Sequence, residues 1–199
     1  MTTTQFNIHS NIQSSTPSKT LAPAIGVPAA IQRLVLTGFM GAGKSTIGRL
    51  LADRLDWTFL DLDHHLEQRT GFTIAEIFAI EGEKRFRRLE STALTSALTR
   101  RGTVIALGGG TPESLTNRLL IEQTPGTFTV FLDASFPTLF DRCILQNVSR
   151  PVLSDVEAAQ TRFTQRHPLY IRLAGLTIDT TDQSPEETVT AMLAALNKK

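Results

Sequence analysis

The sequence predicts an α/β fold with a parallel sheet covered by helices on both faces. Three observations carry that reading. Short apolar runs recur along the chain, segments with apolar residues at helical spacing separate them, and two of the runs stop at glycine clusters. Strands that alternate with helices need crossover connections, and those crossovers bury the sheet from both sides. At 199 residues and 41% hydrophobic content the chain has material for one good core and is short for two.

Residues 1–30 are rich in Ser, Thr, Asn and Pro, with no acidic residue and Lys19 as the one basic residue. That composition predicts a disordered extension. It is similar to an organelle transit peptide in lacking acid, but arginine is also absent and the apolar stretches are too broken for a secretory signal. A single domain is expected over 31–199.

Ile31 to Leu36 reads as a buried strand that stops at Thr37-Gly38, and Lys44 to Leu55 as a helix with Ile47, Leu50, Leu51 and Leu55 on one side. The strand WTFLDLD follows, then helical stretches over 64–69 and 74–100, and the strand TVIAL. A helix over 113–121, the strand TFTVFLD and a helix over 135–146 come next. A helix over 156–174, the strand LTID and a helix over 185–197 close the chain. In such sheets ligands sit at the carboxyl ends of the strands.

Twenty basic and nineteen acidic residues leave a formal charge of +1, which gives no support for a nucleic-acid or membrane-surface partner. The lone Cys143 fits a reducing compartment and excludes an internal disulfide. No run of about eighteen apolar residues exists to span a bilayer.

The stretch GFMGAGKS matches G-x-x-x-x-G-K-[ST] through Gly38, Gly43, Lys44 and Ser45, between a strand and a helix. Backbone N–H groups there can turn inward around a polyphosphate, Lys44 can meet its outer phosphates, and Ser45 can offer a hydroxyl to Mg²⁺. The bland alternative is a glycine-rich turn with a surface lysine. On the acceptor side, Asp61 and Asp63 alternate to one face of the WTFLDLD strand, where one carboxylate can serve a metal and the other a proton. By themselves they fit capping or turn roles equally well. Gly82 and Glu83 open a helix on which Arg87 and Glu90 stand three apart, so the glutamate can orient a guanidinium suited to a carboxylate. His64 and His65 read as surface residues. Gly108, Gly109 and Gly110 end a strand and imply close approach by a ligand or by neighbouring chain. Arg150 stands before a proline in a segment without helical period, as a lid arginine would, and Arg166 lies in the next helix.

In order and spacing, GFMGAGKST, DLD, GEKRFRRLE, LGGGT, SRPVL and RHPLY resemble the shikimate kinase family, over about 31–190. The resemblance implies a three-layer P-loop kinase fold of the nucleoside-monophosphate-kinase-like kind and ATP-dependent phosphorylation of the 3-hydroxyl of shikimate, a step toward chorismate and the aromatic amino acids. It also implies shikimate and ATP as small-molecule partners; a cytoplasmic location is expected, and a monomer because the elements of the chain look self-covered. Position by position, it implies that Gly41, Ala42, Gly43, Lys44, Ser45 and Thr46 bind ATP, with Mg²⁺ at Ser45 and Asp61. Asp63 would hold shikimate and act as base beside the catalytic Lys44 and Arg150. Arg87, Arg166 and the turn Gly108 to Gly110 would bind shikimate, Glu90 bracing Arg87. The acceptor region spans about 61–100, and a lid bearing Arg150 about 144–158. Two positions depart from the family pattern: RPVL replaces RPLL, and Cys143 stands where an arginine often faces adenine. Either Arg142 takes that role or the loop after TIDT holds adenine, around Pro185. A gluconate-type kinase, a GTPase and a catalytically dead binding module are the rivals. The D-x-D, FRRLE and GGG set speaks against the first, the lack of N-K-x-D against the second, and the retained Lys44, Asp63 and arginines against the third.

Overall fold

A computed structural model describes residues 26–145 and 155–198. Five strands, β1 (Arg33–Thr37), β2 (Thr58–Asp61), β3 (Thr103–Ala106), β4 (Thr127–Asp133) and β5 (Leu176–Asp179), form one sheet in the order β2-β3-β1-β4-β5. Every pairing is parallel. The helices are α1 (Lys44–Leu55), α2 (Leu62–Thr70), α3 (Ile74–Leu98), α4 (Leu115–Gln123), α5 (Phe136–Leu145), α6 (Val156–Leu173) and α7 (Pro185–Leu196), with a 3₁₀ turn at Thr111–Glu113.

Side-chain alternation divides the core in two. Leu34 and Leu36 of β1 and Val104 of β3 join Ile47 and Leu51 of α1 and Val189, Met192 and Leu193 of α7. Val35 and Ile105 point the other way, into a cluster with Ile77, Leu94 and Leu98 of α3 and Ile121 of α4. A strand buried on both faces reads as a continuous apolar run, which is why β1 was legible as RLVLT. Packed structure begins before the expected Ile31: Val27 lies against the first cluster, and Ile31 N–H donates to Pro28 O at 2.8 Å.

The register positions the site. Leu36 and Asp61 both pair with Ala106, so Gly38, Asp63 and Gly108 each lie two residues beyond one line across the sheet. Three segments from different parts of the chain therefore come side by side at one edge.

One expectation changes here. Asp63 does not continue the strand: β2 stops at Asp61, whose carboxylate caps α2 by accepting from His64 N–H at 3.3 Å. An Asp at the N-cap satisfies a free backbone donor, and this local gain turns the chain into helix at Leu62. Asp61 and Asp63 consequently lie on a cap and in a first helical turn, not on one strand face. The bend at Gly82, by contrast, appears inside α3 as φ 75° and ψ 171°, a left-handed φ that glycine takes at little cost.

Candidate active site

Gly43 caps α1 in the left-handed region at φ 83°, and the loop from Gly38 closes onto it. The ammonium of Lys44 donates to the carbonyls of Gly38 and Phe39, each at 2.9 Å, so the side chain folds back over its own loop. Two loop glycines also answer to packing. A β-carbon on Gly38 would lie 2.6 Å from Leu132 O of β4, and one on Gly41 would collide with Leu139 O and approach Cys143 Sγ of α5. The loop is wedged against its neighbours as well as shaped for a ligand. Cys143 is buried beneath it.

Ser45 Oγ donates to Asp61 Oδ2 at 2.6 Å, which joins the two residues expected at the metal. Hydroxyl and carboxylate oxygens at the mouth of a phosphate loop suit a hard cation that keeps most of its waters. Among the described residues no group of three or more His, Cys, Asp or Glu is placed to hold a metal, so the cation would lean on phosphate oxygens and water.

The acceptor-side groups gather over the glycine turn. A β-carbon on Gly108 would sit 2.6 Å from Asp63 Oδ1 and 3.3 Å from Glu90 Oε1, and one on Gly110 would sit 2.8 Å from both terminal nitrogens of Arg87. Gly109 faces Arg166, with Nη1 3.8 Å from the corresponding point. Three glycines thus let a carboxylate, a braced arginine and a second arginine close on one small volume. Glu90 is buried, accepts from Arg87 Nη1 at 3.0 Å and from Thr111 Oγ1 at 2.6 Å, and so pins the guanidinium to the turn. Burial works against the charge on Arg87, but Glu90, Glu113 and Glu83 outweigh it and hold its pKa above the ordinary value.

Four residues here escaped the sequence reading. Glu113 bridges the arginines, accepting from Arg87 Nη2 at 2.9 Å and from Arg166 Nε at 2.8 Å. Thr111 completes the Glu90 brace. Tyr170, one helical turn from Arg166 on α6, donates to Gly109 O at 2.6 Å, and burial pushes its phenol far above the usual range. His167 meets Asp133 at the end of β4 at 3.2 Å, tying α6 to the sheet between Phe131 and Phe163. Only the i, i+4 spacing of Arg166 and Tyr170 was visible beforehand.

On the nucleotide side, Arg142 Nη1 donates to Thr180 Oγ1 at 3.2 Å and Nη2 to Thr181 O at 3.0 Å. The two expected alternatives for adenine, Arg142 and the loop leading to Pro185, are therefore one joined structure. Pro185 opens α7 behind the Ser184 cap. His65 is half-buried, with Nε2 enclosed and unpartnered, rather than a plain surface residue; His64 is exposed as expected. Arg150 and most of the expected lid, 146–154, lie outside the described residues.

A glycine-rich loop of phosphate-binding pattern after β1, a Ser–Asp pair suited to a metal and a carboxylate among arginines fit a P-loop phosphotransferase for a small anionic acceptor. The family model described as shikimate kinase matches residues 40–197. A curated shikimate kinase of Lactococcus lactis is 44% identical over 158 residues, covering 78% of this chain and 93% of that protein. One from Mycobacterium avium is 40% identical over 82% of this chain and 93% of its own length. A solved shikimate kinase from Acinetobacter baumannii, in complex with shikimate, superimposes with a TM-score of 0.79 at 33% identity, over 84% of this chain and 94% of that one. The chain belongs to the shikimate kinase family, and it is an ATP-dependent kinase of shikimate in aromatic amino-acid biosynthesis. A gluconokinase from Sinorhizobium meliloti at 20% identity and TM-score 0.54 shares the fold alone.

Proposed function

We propose that this chain transfers the γ-phosphoryl group of ATP to the 3-hydroxyl of shikimate through the residues gathered at the strand ends, with Mg²⁺ at Ser45 and Asp61. The loop from Gly41 to Thr46 binds the phosphates, where the N-terminus of α1 and the Lys44 charge favour anions. Lys44 exchanges its two carbonyl partners for phosphate oxygens. Asp63 takes the hydroxyl proton as the 3-oxygen bonds to the γ-phosphorus and the bond to the β-bridging oxygen breaks, releasing ADP. Ser45 and Asp61 would hold the Mg²⁺, which when bound would offset charge on the phosphates. Arg87 and Arg166 take the shikimate carboxylate, Gly108 to Gly110 lie beneath the ring, and Glu90 fixes Arg87. Arg142 and Pro185 contribute to ATP binding, and Arg150, outside the described residues, is assigned to its phosphates by the family resemblance. The reading takes the enzyme to be a cytoplasmic monomer with no nucleic-acid or membrane partner, in keeping with its balanced charge.

The observation that carries these roles is the shared register of Gly38, Asp63 and Gly108, which sets phosphate loop, base and acceptor turn side by side. ADP release from purified protein with ATP and Mg²⁺ tests it, comparing shikimate, gluconate and no acceptor, with Lys44→Ala as control. Release that requires shikimate and Lys44 is the expected result. Equal release with gluconate, or full release from Lys44→Ala, overturns the assignment.

A further inference from the structure

Glu113 places a carboxylate of the protein between the two arginines assigned to the carboxylate of the acceptor. Its Oε2 takes Arg87 Nη2 at 2.9 Å and its Oε1 takes Arg166 Nε at 2.8 Å. With Glu90 and Glu83 already on Arg87, the two positive charges face three negative ones, and the arginine pair is neutralised before any ligand arrives. A further carboxylate entering beside Glu113 would find donors in use and a like charge at contact distance.

The three partners differ in freedom. The side chains of Arg87 and Arg166 are 25% and 15% exposed, whereas that of Glu113 is 37% exposed. Arg87 is held by the buried Glu90, and Arg166 lies on α6, one turn from Tyr170 and its bond to the glycine turn. Glu113 ends a 3₁₀ turn, is bound through these two contacts, and can swing into water.

We propose that Glu113 is a built-in competitor for the acceptor's carboxylate: it occupies the Arg87–Arg166 fork, must leave when the substrate binds, and thereby sets acceptor affinity. This rests on the reading that the two arginines bind the substrate carboxylate. The apparent affinity is the intrinsic one reduced by the fraction of molecules whose fork is open, so removing the competitor tightens binding. Glu113 also holds the two guanidiniums at the spacing of one carboxylate until displacement. It also screens the pair from stray anions: only an acceptor that adds hydroxyl contacts at Asp63 to its carboxylate gains enough to displace it.

The test is steady-state kinetics and direct shikimate titration of Glu113→Gln, with Glu113→Ala as a second variant and thermal melting to check folding. The amide keeps the size but not the charge. Shikimate KM and Kd should fall by about 1.5- to 5-fold, the range implied by a partly exposed ion pair. Cyclohexanecarboxylate, a carboxylate without hydroxyls, should inhibit the variants more strongly than the parent. A KM that rises or stays level in both folded variants overturns the inference, because a bracing role would weaken binding. Arg166→Met separates the two layers: a raised KM there with no fall in Glu113→Gln overturns the competitor alone, whereas an unchanged KM in Arg166→Met removes the acceptor from this fork.

Discussion

The two edges of the sheet each hold a substantially buried arginine, and the contrast between them separates structure from function. At the amino edge, Arg33 is 4% exposed and donates from Nε to Arg100 O at 3.0 Å and from Nη1 to Pro125 O at 2.6 Å and Thr127 Oγ1 at 3.1 Å. At the carboxyl edge, Arg87 bonds to Glu90, Glu83 and Glu113. Burial lowers the pKa of Arg33, helped by Arg101, while carboxylates raise that of Arg87. Backbone carbonyls are fixed parts of the fold and cannot be exchanged, so Arg33 ties the two loops that enter β3 and β4 to β1. A carboxylate partner on a flexible side chain can be exchanged for a ligand's carboxylate. The partner of an arginine, more than its burial, marks the edge that works.

The largest expected effect lies at the carboxyl edge. Replacing Asp63 with Asn removes the base while keeping shape, so kcat should drop by about 10²- to 10⁴-fold. ATP binding, measured by titration, should stay close to that of the parent. Near-normal turnover would take Asp63 out of the proton-transfer role.

Next comes the amino edge. Arg33→Met leaves the Arg100 and Pro125 carbonyls without donors and should cost about 2–4 kcal/mol of stability in urea unfolding. The shikimate KM at a temperature where the variant is folded should not move. A changed KM with unchanged stability would erase the distinction between the edges. Arg87→Ala should do the reverse, raising KM by about 10- to 100-fold. An unchanged KM would leave Arg87 a purely structural arginine like Arg33.

Much of this arrangement was legible in the sequence because burial on both faces writes itself as apolar runs. Among the described residues, the five strands and seven helices fall within about three residues of the pattern. The phosphate loop was legible because one contiguous segment makes it. The fork was only half legible: Arg87 and Glu90 lie three apart, but Glu113 reaches Arg166 across 53 positions and Arg142 reaches Thr180 across 38. No local spacing encodes such pairs. Asp63 was misplaced for a different reason. D-L-D keeps the strand period of two, and the cap energy at Asp61 that ends the strand is invisible to periodicity. Arg33 looked like one more residue of an apolar strand.

The smallest effect is expected where the edges approach each other, along the outer strand β2. One surface cavity there is lined by Asp61 from the working edge and by Arg100 from the structural one, with His65 between them. Burial lowers the pKa of His65, and Arg100 and Arg69 lower it further. The folded chain therefore resists protonating this ring. Above the ordinary value of 6.5 His65 is neutral in both folded and unfolded chains and contributes nothing to pH dependence. As pH falls through that value the unfolded chain binds the proton first, so stability falls with pH until the folded ring also titrates. Urea unfolding of the parent and of His65→Asn between pH 8 and pH 5.5, roughly spanning the ordinary histidine range, isolates this slope from that of the other groups. The parent should lose more stability than the variant over that window, with shikimate KM at pH 8 the same in both. Parallel curves would mean that His65 titrates as freely as a surface histidine, and that the positive charge of Arg100 belongs to the amino edge alone.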